Sequence, residues 1–154
     1  RHPMSPVDAD QNPVLKPAPW EWRADPHGFY NCLSQYWDRY QVPLLIGENG
    51  LGALDTVDPN GEIHDPYRSE YYRQHIEAMR ECVLDGVEII AYCAWAPIDI
   101  VSSSSAEMSK RYGFVYVELD DWGKGTGKRL KKDSFYWMQK VIETNGEIIC
   151  FPER

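Results

Sequence analysis

Two hydrophobic periods take turns along the chain, and the switches between them mark out its elements. Phe29, Leu33, Trp37 and Tyr40 recur at i, i+4, i+8 and i+11, which is one stripe of an amphipathic helix. Asp25-Pro26 provides a start for it, an N-cap acceptor followed by proline at the first helical position. The pattern therefore predicts a helix over about 26–41. The helical period then stops. Pro43 opens a short apolar run, Leu44-Leu45-Ile46, that ends at Glu48-Asn49-Gly50. Such a run is too short for a helix and suits a fully buried strand stopping in a turn. The following loop carries Asp58-Pro59-Asn60-Gly61, all turn-favouring residues. A second Asp-Pro pair, Asp65-Pro66, opens a longer helix with an expected buried stripe of Tyr72, Ile76, Met79 and Val83, ended by Gly86. Val87 to Cys93 is β-branched and apolar, a second strand.

Helix–strand alternation repeated twice favours an α/β architecture with parallel strands. Beyond it, Trp95 to Tyr112 reads as a long polar loop, Phe114 to Val117 as a strand, and Asp120 to Lys132 as a charged, glycine-containing turn region. A last helix is expected over about 134–143, with Phe135, Met138 and Ile142 on its buried face and Asn145-Gly146 closing it. The ordered domain would span 20–146. Residues 1–19 hold five prolines and read as an extended loop or linker, and 147–154 as a tail.

Composition narrows the function classes. Asp and Glu outnumber Lys and Arg by 24 to 16, the opposite of what a nucleic-acid binder needs. The same balance means that any site for an anionic substrate must be a local one. Cys32, Cys82, Cys93 and Cys150 are scattered without a C-x-x-C pair, and Cys82 and Cys93 lie inside apolar patterns. Four reduced thiols in a cytoplasmic protein are expected. No apolar run is long enough to span a membrane. His2, His27, His64 and His75 show no metal-ligand spacing, and neither a metal nor another cofactor is expected. The start at Arg1-His2-Pro3 suits a chain cut from something longer.

The candidate chemistry begins with Glu48, an acid where a buried strand turns into a loop, the place where a β/α barrel keeps its catalytic groups. The run R-Y-x-V-P-L-L-I-x-E-N-G, Arg39 to Gly50, resembles the nucleophile segment of glycoside hydrolase family 1. Ala91-Tyr92-Cys93-Ala94-Trp95-Ala96-Pro97-Ile98-Asp99 resembles that family's last barrel strand, which implies that Trp95 lines the sugar subsite. In the family's ordinary β-glucosidases the aspartate matching Asp99 is followed by an N-F-E-W run whose Glu binds the sugar O4 and O6 hydroxyls. Here Ser102 stands at that Glu position.

The substitution has a chemical reading. A carboxylate there would repel a phosphorylated O6, whereas a hydroxyl can donate to it. Lys110 adds a compact positive charge and Tyr112 a phenolic donor. A phosphate monoester carries about −1.5 to −2 charges and three acceptor oxygens, and hydroxyls plus a lysine make a suitable cradle. The stretch Ser102-Ser103-Ser104-Ser105 through Lys110-Arg111-Tyr112-Gly113 resembles the 6-phospho-β-glycosidase branch, with Ser102 or Ser104 facing the phosphate. Ser103, small where the galacto-type enzymes carry Trp, implies the gluco type. Gly125 to Trp137 also resembles the family's approach to its final helix, and its basic residues are expected to pack rather than bind ligand.

A complete eightfold barrel needs roughly 250 residues, and the chain has 154. The resemblance therefore implies the C-terminal part of a TIM (β/α)8 barrel, about the last two β/α units. Retaining glycosidases use two carboxyl groups about 5–5.5 Å apart. Glu48 matches the nucleophile, but the N-E-P segment that carries the acid/base in the family has no counterpart here. The expected function is hydrolysis of 6-phospho-β-glucosides with retention, this chain supplying nucleophile and phosphate site and being inactive alone. The expected partners are a phosphorylated β-glucoside and the remainder of the barrel, in the same or a separate chain, with no nucleic acid and no membrane. Self-association into a homo-oligomer through cut strand edges is also expected. The competing readings are an ordinary family 1 β-glucosidase and a non-catalytic sugar-phosphate-binding module.

Overall fold

A computed structural model of the chain describes residues 14–16 and 23–149. Most of the expected linker over 1–19 and of the expected tail over 147–154 lies outside the described residues. The elements run α1 (Pro26–Tyr40), β1 (Leu44–Asn49), α2 (Pro66–Leu84), β2 (Ile89–Ala94), β3 (Val115–Val117), β4 (Arg129–Lys131) and α3 (Asp133–Glu143). Asp25 caps α1 as its sequence suggests, its carboxylate accepting from the Gly28 amide at 2.8 Å. Asp65 occupies the corresponding position before α2 but makes no side-chain cap bond, because its carboxylate is committed elsewhere.

β1 and β2 pair in parallel, in the register Leu44↔Ile89, Leu45↔Ala91, Ile46↔Tyr92 and Asn49↔Ala94, and α2 makes the crossover between them. This is one complete β–α–β unit, preceded by α1. β3 and β4 form a separate antiparallel hairpin, attached through a bridge between Ile98 and Val115. The sequence reading treated 120–132 as a turn region only, and β4 lies within it.

Two apolar clusters hold the elements together. Leu33, Ile46, Cys82 and Val87 pack α1 and α2 onto the sheet, with Phe29, Trp37 and Leu44 around them. Tyr71, Tyr72, Ile76, Phe114, Trp137, Val141 and Ile149 join α2 to α3 and the hairpin. Several expected core positions shift. Val83 is 51% exposed and Ile142 72% exposed, while Cys82 and Val141, their neighbours in sequence, are buried. A third helix or sheet packs against a helix from a direction that one-helix periodicity cannot supply, and it turned both faces. Ile149, assigned to the tail, is buried in the core. Cys93 is exposed rather than part of an apolar interior, and Cys32, Cys82 and Cys93 are free thiols.

β1 is not the fully buried strand that its composition suggests. Leu45 is 57% exposed and Ile90 on β2 is 63% exposed. A parallel strand becomes buried by having neighbours on both edges and covers on both faces, and this sheet has two strands. Among the described residues no helix is long and apolar enough to cross a membrane.

Candidate active site

The parallel register brings the C-terminal ends of β1 and β2 to one rim. Asn49 is the joint. Its carbonyl accepts from the Trp95 amide at 2.7 Å and from the Tyr72 hydroxyl at 3.3 Å. Its side-chain Oδ1 accepts from the Tyr92 hydroxyl at 2.6 Å, and its Nδ2 donates to the Tyr71 hydroxyl at 3.3 Å. Burial raises the pKa of Tyr92, with Tyr72 and Tyr71 adding to it, so Tyr92 keeps the proton that it donates. Glu48 precedes this clamped residue and is exposed. Gly50 follows it, buried, where a Cβ would stand 2.8 Å from the Trp95 Cβ. Glu48 and Trp95 are thus held at the ends of adjacent strands.

The proposed cradle assembles beside Trp95. The Trp95 and Tyr112 rings meet edge to face with centroids 6.4 Å apart. Ser102 and Tyr112 share a hydrogen bond of 2.9 Å between their hydroxyls, and Ser104 Oγ lies 3.1 Å from Ser102 Oγ. The ammonium of Lys110 sits 5.7 Å from the Tyr112 ring centroid, within cation–π range. Ser102, Lys110 and Tyr112 are 1%, 4% and 4% exposed, whereas Ser103 and Ser104 are exposed. The serine run is therefore anchored at Ser102 and open to solvent at Ser103 and Ser104. Backbone bonds from Ser102 to Glu107 and from Ala106 to Ser102 close it on itself, at 2.9 and 2.8 Å. Arg111, the neighbouring cation, points away: its guanidinium donates to the carbonyls of Val117 and Leu119, both at 2.7 Å.

Beneath the cradle lies a buried ionic network that the sequence reading missed. Arg68 pairs with Asp55 at 3.0 Å and with Asp65 at 2.9 Å. Lys132 pairs with Asp99 at 2.8 Å and also with Asp55. Arg111 approaches Asp99 at 3.6 Å. Arg68 further donates to the carbonyls of Leu51 at 2.7 Å and Tyr112 at 3.0 Å, so one guanidinium holds both the turn after Glu48 and the backbone of the cradle. Asp65 accepts from the Ser134 amide and hydroxyl at 2.9 and 2.6 Å, which explains its absence from the α2 cap. Burial pulls the Arg68 pKa down, and Asp55 and Asp65 more than offset this, so Arg68 keeps its charge. Of the basic run before α3, Lys128, Arg129 and Lys131 are exposed, and Lys132 alone packs inside, as a buried charge. Only the chemical oddity of so many ionisable residues between apolar segments hinted at this. Arg68 and Asp65 stand three residues apart, but pairs such as Arg68–Asp55 across 13 residues and Lys132–Asp55 across 77 leave no local pattern.

The histidines behave differently from one another. His75 is buried against Tyr71 and Phe29. His64, in the loop after β1, is half exposed with Asp58 and Glu62, the three offering ligand atoms within 4.8 Å of one another. Its Nδ1 pairs with Asp133 at 2.7 Å, and that bond raises its pKa. This exposed cluster reads as surface ion pairing. A groove of about 1010 Å³ lies between α2, β2 and α3, lined by Ile76, Met79, Phe114 and Met138 among others. None of Glu48, Trp95, Ser102, Lys110 and Tyr112 lines it.

The profile of Glycosyl hydrolase family 1 matches residues 2–147. The chain is 55% identical over 137 residues to aryl-phospho-beta-D-glucosidase BglH of Bacillus subtilis, covering 89% of this chain and 29% of that protein. It is 51% identical over 141 residues to 6-phospho-beta-glucosidase AscB of Escherichia coli, covering 92% and 30%. A 6-phospho-beta-galactosidase of Leptotrichia buccalis is 36% identical over 127 residues, covering 81% and 26%. Among solved structures, the family 1 β-glucosidase of Thermotoga maritima in complex with isofagomine lactam superposes with a TM-score of 0.78 at 31% identity, over 88% of this chain and 30% of that one. The chain thus spans about 30% of the length of these relatives, as expected for part of a TIM barrel, and it belongs to glycosyl hydrolase family 1.

Proposed function

We propose that this chain is the part of a 6-phospho-β-glucosidase barrel that carries the nucleophile and the phosphate site. The observation that carries the reading is the buried Ser102–Tyr112–Lys110 cluster beside Trp95. Hydroxyls and an ammonium are already converged at one place, on the rim that also bears Glu48. The cluster offers donors and a positive charge, which suits a phosphorylated O6, with the Ser102 hydroxyl where a carboxylate would repel it. The greater identity to relatives named for phospho-glucosides than to the one named for a phospho-galactoside supports the gluco type, as does the small Ser103.

In this reading the Glu48 carboxylate attacks the anomeric carbon, forming a glycosyl-enzyme as the aglycone leaves. The departing oxygen takes its proton from an acid on the rest of the barrel. That same group, now a base, activates the water that releases glucose 6-phosphate. Trp95 packs on the sugar, and Ser102, Lys110 and Tyr112 hold the phosphate, with Ser103 and Ser104 at its margin. Residues 1–154 alone, lacking the acid, turn over no substrate above background.

The test uses the complete barrel containing this segment, with 4-nitrophenyl-β-glucoside 6-phosphate and its unphosphorylated form. Lys110→Ala should cost the phosphorylated substrate about 1.5–3 kcal/mol of transition-state stabilisation, the worth of a charge-assisted hydrogen bond, or roughly 10- to 150-fold in kcat/KM. The neutral glucoside should lose far less. Ser102→Glu should shift preference further toward the neutral sugar. Equal losses on both substrates would reject the phosphate site and favour an ordinary β-glucosidase.

A further inference from the structure

We infer that Gly52 is a specificity-determining positioning residue, whose missing side chain makes the channel through which Lys110 reaches the phosphate; this rests on the phosphate reading above. Ala53 and Arg111 exchange two backbone hydrogen bonds, of 2.9 and 2.8 Å, and form an isolated antiparallel bridge. That bridge lays the turn after the nucleophile strand directly against the cradle segment 110–112. Gly52 flanks the bridge and is buried. A Cβ built on it would stand 2.8 Å from Lys110 Cε, 3.1 Å from Lys110 Cγ and 3.2 Å from Tyr112 Cε1. Lys110 therefore runs over the bare face of Gly52, and the same bare face admits the edge of the Tyr112 ring.

The clash partners set what a methyl group would do. At Gly113 an added Cβ would meet the backbone of Ile98 and Asp99 at 2.2 to 2.6 Å, where only a main-chain movement gives relief. At Gly52 the obstacle is a flexible lysine stem and a ring edge, so the lysine moves while the fold stays. Gly52 tunes the aim of the cation, and Gly113 supports the chain. Positioning of this kind is sensitive to displacements of about 1 Å.

The experiment compares Gly52→Ala, Lys110→Ala, Gly113→Ala and the Gly52→Ala/Lys110→Ala double variant in the complete barrel. Each is assayed on phosphorylated and unphosphorylated 4-nitrophenyl-β-glucoside, with thermal melting alongside. The Lys–phosphate contact exists in both ground and transition states, so Gly52→Ala should raise KM for the phosphorylated substrate on the order of tenfold with kcat nearly kept. The neutral substrate should change much less, and the melting temperature little. In the double variant the two losses should not add, because with Lys110 shortened the new methyl meets little. Gly113→Ala should depress melting and both substrates together. If Lys110→Ala is phosphate-selective but Gly52→Ala strikes both substrates alike, strikes neither, or adds fully to Lys110→Ala, the role of Gly52 is overturned and the phosphate reading stands. If Lys110→Ala is itself unselective, the phosphate reading falls and Gly52 with it. Should Gly52→Ala fail to accumulate, the double variant decides the same question: recovery of folded protein once the lysine stem is removed supports the role, and continued failure overturns it.

Discussion

The loop layer above the strand ends and the parallel sheet beneath it are built on opposite terms. In the loop layer, Asp55, Asp65, Asp99, Arg68 and Lys132 have fully buried, mutually paired side chains, and Ser102, Lys110 and Tyr112 are buried with them. In the sheet, Leu45 and Ile90 stand more than half exposed, although their residue types are those of an interior. Charged side chains are closed in the one layer, while apolar strand residues stand open in the other. A charge network is satisfied by a few groups at short range, all of which this chain contains. A barrel strand is covered only when both its edges and both its faces have neighbours. The chain covers about 30% of its relatives' length, which gives it the partners for the first need and not for the second.

If stability resides in the closed layer and chemistry on the open rim, substitutions should separate the two. The largest effect belongs to the rim: Glu48→Gln in the complete barrel should cut turnover by more than about a thousandfold, since an amide of the same shape cannot form the glycosyl-enzyme. Urea denaturation should meanwhile show little change, because Glu48 is exposed. A 2-deoxy-2-fluoro glycoside should label Glu48, and a label elsewhere would break the assignment. Arg68→Met should do the reverse. It removes the cation that Asp55 and Asp65 share, leaving Asp55 to Lys132 and Asp65 to the neutral donors of Ser134, and should cost about 3–5 kcal/mol of stability, read from denaturant midpoints. A loss below about 1 kcal/mol would mean that the closed layer does not hold the segment.

Smaller effects sharpen the contrast. Burial lowers the pKa of His75, against opposing pulls from the Tyr71 carbonyl and Asp25. The unfolded chain then binds more protons than the folded one just below the ordinary histidine value of about 6.5. Stability is therefore full above that value and declines as pH falls from it towards the lower folded value. His75→Phe should flatten this part of a stability–pH curve, and an unaltered slope would remove His75 as its source. The smallest effect is expected at Leu45→Ser in the isolated chain, within about 0.5 kcal/mol as for an exposed position. The same change in the complete barrel should cost about 2–5 kcal/mol, and equal costs in both would show that no later neighbour covers β1.

Much of the local plan was legible. The Asp25-Pro26 and Asp65-Pro66 starts, the apolar runs at 44–46 and 87–93, the second beginning two residues ahead of β2, and Gly86 as a stop correspond to observed elements. Each is written in neighbouring residues, and neighbouring residues suffice to bias a backbone. The motif stretches 39–50, 91–99 and 102–113 pointed to family 1, and the family profile matches across them. The helix faces were less legible. The α2 stripe included exposed Val83 and missed buried Arg68, Ser69 and His75, because a polar residue enters a core only when a distant partner waits there.

What the sequence by itself determined is the order of the helices and parallel strands, their approximate ends and the residue types available at the rim, all properties of short-range backbone preference and motif. What only the tertiary structure decided is which of those residues meet. Ser102 and Tyr112, 10 residues apart, share a hydrogen bond. Lys132 crosses 77 residues to Asp55, and Gly52 clears the path of Lys110. Such meetings depend on the register of β1 against β2 and on the docking of α3. Both are set by the summed packing of the whole chain, and no stretch of residues contains that sum.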